Sequence, residues 1–232
     1  MMKMDCRNDH FRALALSIAS LLLWASGGVA GAGDLESSPA DRLASAVYFE
    51  GLAFEEVGDL SDADVARLIE LLQDPAEIRK HPNALVALGM SGSPVAFDAI
   101  ADYALRGSSG EIDRLEFRAQ RSIAAGMGHL ARVDGRALAW LVRAATDASA
   151  APQRSFRQMD AERIARLMQK GAITGLALSG QPSAARVIAQ IIAVPSAAPE
   201  IVEHANDALI LHERMSRRGP ASVLRDHFGP AR

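Results

Sequence analysis

The stretch DPAEIRKHPNALVALGMSGSPVAFDAIA, residues 74–101, decides the fold. Pro75 and Pro82 stand where a first-turn proline starts a helix, because a missing N–H costs nothing there. Ala84, Leu85 and Leu88 then recur at the three-to-four spacing that puts apolar side chains on one helical face. Gly92 stops that helix, and Pro94 opens the approach to a second one carrying Ala96 and Ile100. The unit therefore reads as helix, turn, helix. Nothing in it alternates with the period of two that a half-buried strand would show.

The same unit recurs along the chain. Shifted by 88 positions, Ala84, Leu88, Ser91, Gly92, Pro94, Ala96, Ile100 and Ala101 meet identical residues at Ala172, Leu176, Ser179, Gly180, Pro182, Ala184, Ile188 and Ala189. Between these copies, Arg118 with Met127-Gly128 echoes Arg79 with Leu88-Gly89 at a shift of 39. A last copy runs from Pro199 to about Phe228. The period is therefore about 40 residues, with two helices in each repeat.

The pattern Asp74-Pro75, Ile78-Arg79, Ala84-Leu85, Leu88-Gly89, Gly92-Ser93-Pro94, Ala96, Ile100 resembles a HEAT repeat of the short bacterial kind. The second copy lacks the proline, and the third lacks the valine-arginine-like pair. The resemblance implies an all-α fold: an α-solenoid of stacked antiparallel helix pairs, with four to five repeats over residues 61–232. A helix pair cannot bury its apolar face alone, so neighbours stack into one continuous core. Residues 33–60, with Leu43, Val47, Leu52 and Phe54, are expected to form an acidic amino-terminal cap.

The first 32 residues read as a signal peptide. Lys3, Arg7 and Arg12 precede a run from Ala13 to Trp24 broken only by Ser17 and Ser20, and small residues follow to Ala32. Cleavage is expected after Ala30 or Ala32, the alternative being an uncleaved anchor. The run falls short of the about 20 residues that span a bilayer, and no later run is longer, so no transmembrane span is expected after cleavage. The one cysteine, Cys6, lies in the leader, so the remainder folds on its core without a disulfide. An exported protein, periplasmic or extracellular, is the expectation.

Charge narrows the function. The chain carries 25 basic and 28 acidic groups, too few cations for a dedicated nucleic-acid binder. The balance is uneven: residues 33–77 hold twelve acidic and two basic groups, whereas residues 78–232 hold fourteen and twenty. Catalytic constellations are missing. Glu200, Glu203, His204, Asp207, His212 and Glu213 share one predicted helix, but His204 and His212 are too far apart around it for a tight zinc pair. Gly126-Met127-Gly128-His129-Leu130-Ala131 imitates a dinucleotide loop without the strand that must precede one, and a helix end accounts for its glycines better. No cofactor and no metal site is expected.

Two surfaces are candidates. On the helix that holds it, Trp140 points about 150° from the stripe of Leu138, Leu141, Val142 and Ala145. Aligned second helices place Asp98, Trp140 and Arg186 in one column, with Arg136 and Arg143 beside it. The HEAT resemblance puts second helices on the concave face, which makes this column a groove for a partner; the competing reading is that Trp140 fills a seam between repeats. The second surface is a basic stripe, Arg114, Arg118 and Arg121, repeated one unit later by Arg163, Arg166 and Lys170. The expected function is a non-enzymatic scaffold that binds a protein partner in the cell envelope. The alternatives are an accessory subunit of a lyase of the HEAT-like type and a self-assembling structural module.

Overall fold

A computed structural model describes residues 38–46, 57–106, 110–147, 149, 154–157 and 159–223. The expected signal peptide, 1–32, lies outside the described residues, as do 33–37 and 47–56 of the expected cap and 224–228 of the expected last copy. The described residues are helical almost throughout: α1 (Pro39–Ser45), α2 (Asp62–Gln73), a 3-10 turn (Pro75–Glu77), α3 (His81–Ser91), α4 (Ala96–Leu105), α5 (Arg114–Leu130), α6 (Gly135–Thr146), α7 (Ala161–Ser179), α8 (Pro182–Ile192) and α9 (Pro199–Arg218). The fold is all-α. The sequence reading did not anticipate two short strands, β1 (Gly110–Glu111) and β2 (Arg154–Ser155), which pair in parallel and tie two interhelical connections together.

Local chemistry sets the helix ends. Ser61, Asp113, Asp134 and Asp160 each turn a side-chain oxygen onto a backbone N–H of the first turn, satisfying donors that a helix start leaves bare. At α2 the arrangement is reciprocal, since Asp64 also accepts from the Ser61 backbone and hydroxyl. The Ser61 hydroxyl, above all, holds the Asp64 carboxyl below its usual range. Replacing Ser61 by alanine is expected to cost about 1 kcal/mol in urea unfolding, and Ser61→Asn almost nothing, because asparagine caps equally well.

The 88-residue echo has a structural counterpart. Gly92 and Gly180 end α3 and α7 in the left-handed region, at φ 65° and 61°. The Ser91 hydroxyl donates to Leu88 O at 2.7 Å, and the Ser179 hydroxyl to Leu176 O at 2.6 Å. Each hydroxyl also accepts from the backbone N–H two residues on. Two identical C-terminal locks therefore close two helices.

Packing follows an order. Helices α3, α5, α7 and α9 each contact the next in that sequence, while α4 touches α3 and α5, α6 touches α5 and α7, and α8 touches α7 and α9. One core runs through them from Leu43 and Leu68 to Ile201 and Ala205. Asn83 of α3 donates to the backbone oxygens of Leu43, Ala44 and Ala46, closing the end of α1.

The closest approaches are backbone on backbone. A Cβ added to Gly89 would lie 2.0 Å from Gly126 O, and one added to Gly128 would lie 2.7 Å from Gly175 O. Only residues without a side chain allow helices this near. Gly126 and Gly128 are two apart, so they face about 200° from each other around α5. One glycine meets α3 and the other meets α7. The expectation that a helix end explains them is corrected here: both lie within α5, and their cause is contact with two neighbours.

Candidate functional site

The column expected on the second helices is partly assembled. Asp134 caps α6 and also accepts from the Arg136 guanidinium at 2.8 Å. That guanidinium reaches back to α4, 3.3 Å from Asp98, 3.2 Å from Pro94 O and 4.5 Å above the Phe97 ring. Hydrogen bonding to Arg136 holds the Asp134 carboxyl below the usual carboxylate range. Arg136 thus acts as a strut between α4 and α6, and its exposed pair with Asp98 lies on the surface. Arg186 on α8 and Arg143 on α6 are exposed. Trp140 is half-buried and packs against the core. Helix α6 lies against both α5 and α7, and Trp140 lines a cavity together with residues of both.

Beside Trp140 lies a cavity of about 90 Å³, bounded by α5, α6, α7, Ala104 of α4 and Arg154 at the start of β2. Ile123, Ile164 and Met168 supply apolar wall, and Arg143 belongs to the lining as well. Arg154, 4% exposed, is fixed by donating from Nη2 to Ala104 O and Arg106 O at the end of α4. Burial works against its charge, while the Glu116 carboxylate works for it. Gln120 lines the same cavity at 5% exposure. Gln169 is held by donation from Nε2 to Ala145 O at 2.8 Å. Sequence reasoning passed over both Gln120 and Arg154. Arg154 sits in a connection with no periodicity to betray it. Gln120 did carry a signal, as the one polar residue in register with Ile123, Ala124 and Met127.

The basic stripe divides. Arg114, Arg118, Arg121 and Arg163 are exposed. Arg166 pairs with Glu162 one turn earlier and lies 3.8 Å from Glu200 of α9, so its charge is partly spent within the fold. Lys170 is half-buried, and its carbonyl accepts from the His204 ring at 2.9 Å.

The histidines of the acidic helix hydrogen-bond to backbone carbonyls of neighbouring elements. His204 Nε2 lies 2.9 Å from both Lys170 O and Thr174 Oγ1. His212 Nε2 donates to Gln181 O at 2.9 Å, which leaves Nδ1 to face Ser216. His81 is a third such joint: Nε2 donates to Asp74 O, so Nδ1 accepts from the Tyr103 hydroxyl at 2.8 Å. Among the described residues no group of three or more metal-ligating side chains converges. None of the described helices is long and apolar enough to cross a membrane.

No protein-family model matches the chain, and no curated protein or solved structure is significantly similar to it.

Proposed function

We propose that the protein is an exported, non-enzymatic scaffold: a HEAT-like solenoid of stacked antiparallel helix pairs that binds a protein partner in the cell envelope. The solenoid reading is supported by one recurring contact. Under the alignment that equates positions 89, 128 and 177, the helix backbone at 89 meets residue 126 and that at 128 meets residue 175. Each helix therefore touches the next at the position two residues before its equivalent, as repeats stacked in register require. The partner surface is the face where Asp98, Arg136, Arg143 and Arg186 stand exposed along α4, α6 and α8. Three exposed arginines on such a face suit an acidic partner, because a guanidinium pairs with a carboxylate in a planar fork, and Arg136 is already fixed by Asp134, Asp98 and Pro94 O.

Capture from the envelope fraction of the source cells tests the reading. A specific partner is expected to be retained by the wild-type chain and weakened at least tenfold by Arg143→Glu together with Arg186→Glu, two exposed changes that leave thermal unfolding in place. Equal retention by both chains removes this face from the proposal. Mass analysis of the exported chain is expected to find it starting at Gly31 or Gly33.

A further inference from the structure

We propose that the surface along the first half of α5, where Arg114, Arg118, Arg121 and Arg157 stand around a stacked pair of phenylalanines, docks onto the anionic headgroups of a lipid bilayer. The cations come first. Arg114, Arg118 and Arg121 are exposed, and their spacing puts them on one face of the helix. Phe117 belongs to the same face, three residues after Arg114 and four before Arg121. Its ring stacks on that of Phe156 at 4.7 Å, and the exposed Arg157 guanidinium lies 5.2 Å from the Phe156 centroid. None of the four arginines forms an ion pair with a described residue. The acids close by in sequence are mostly committed. Asp113 and Asp160 accept from backbone N–H groups where α5 and α7 start, and Glu162 pairs with Arg166. Glu116 favours the charge of buried Arg154, which leaves Glu111. Arg157 also holds φ 52°, in the left-handed region that a side chain disfavours. Strain is thus kept at a cation that no described carboxylate pairs with.

The extent of the patch selects the partner. Seven residues of helix rise about 10 Å, so the stripe from Arg114 to Arg121 outreaches one small anion and suits a surface that repeats its charge. The half-buried rings among the cations favour a headgroup layer, which takes up apolar edges and phosphates together, over a fully polar polyanion. Because the chain's net charge is −3, attraction to such a layer must arise from this face and not from the molecule as a whole.

This surface is separate from the face on α4, α6 and α8 and does not rest on that proposal. Cosedimentation of the full chain with vesicles of equal parts phosphatidylglycerol and phosphatidylcholine, against vesicles of phosphatidylcholine alone, tests it. Binding to the anionic vesicles is expected, at least tenfold tighter than to the neutral ones and weakened by salt. Arg118→Glu with Arg121→Glu should weaken it at least tenfold. Arg143→Glu with Arg186→Glu changes the net charge equally on a different face and should leave it within about twofold. All variants share residues 1–32, so differences among them report the patch. Arg157→Gly is expected to weaken binding about threefold or more while the thermal midpoint holds, because glycine accepts the left-handed backbone. The proposal fails if the two kinds of vesicle bind alike, or if both double variants lose binding equally. It fails if folded Arg118→Glu with Arg121→Glu, or folded Arg157→Gly, binds unchanged. It fails too if inorganic polyphosphate binds more tightly than the anionic vesicles, which would assign the patch to a soluble polyanion.

Discussion

Valine in place of Gly126 is expected to lower stability by about 4 kcal/mol or more, enough to remove much of the about 5–15 kcal/mol that holds a domain together. The reason is geometric. A Cβ at this position would meet Leu85 O at 2.4 Å, and backbone atoms have no rotamer by which to escape. Helices α3 and α5 must then separate, and the fully buried Leu85, Leu88, Met127 and Leu130 lose contact along the whole seam. In a thermal melt the midpoint should fall by roughly 10 °C. Gly175→Val should behave alike, because its Cβ would lie 2.5 Å from Ala124 O and 2.6 Å from Leu141 Cδ2. Gly135→Ala is the control. Nothing lies within 4 Å of its added methyl, and alanine is the better helix former, so stability should hold or rise. A harmless Gly126→Val would mean the helices are not this close.

Acidification should weaken the protein before its carboxylates protonate. His129 is 7% exposed, and its Nδ1 has no hydrogen-bond partner among the described residues. Burial, with Arg132 nearby, pushes its pKa down to about 4. In the unfolded chain an ordinary histidine titrates near 6.5. Above that value both states are neutral and nothing is lost. Between about 6.5 and 4 the unfolded state binds a proton that the native state does not, so stability falls as pH falls. At pH 4.5 the loss relative to pH 7.5 should be about 2.5 kcal/mol. Burial displaces His81 in the same direction and adds to the slope. Urea unfolding at the two pH values, compared with His129→Met, isolates the first term: the variant should lose far less on acidification. An equal loss in both proteins would assign the acid sensitivity elsewhere.

Much of the helical framework could be read before the structure. Prolines at 82, 182 and 199 open helices, and glycines at 92 and 180 close them. Those signals are local, and local geometry answers to them. The site was less readable because it depends on what lies across the fold. A single-helix projection put Trp140 among charges; it could not show that Trp140 also lines a cavity with residues of α5 and α7. Arg136 and Asp98 were expected beside each other and do meet, since their positions on successive second helices were aligned. Arg154 could not be found this way, because its burial arises from carbonyls about fifty residues earlier in the chain. The glycines of α5 were noticed for the wrong reason: their spacing resembled a loop motif, whereas two residues of separation is what opposite faces of a helix demand.

That spacing limits how the chain can change in length. One residue inserted in α5 ahead of Gly126 would turn the remainder of the helix by about 100°, withdrawing both glycines from their neighbours and swinging side chains into the gaps. Two interfaces would jam at once, one on each flank. A change of length within α5 ahead of Gly126 is therefore expected to be far more costly than one beyond the ends of that helix.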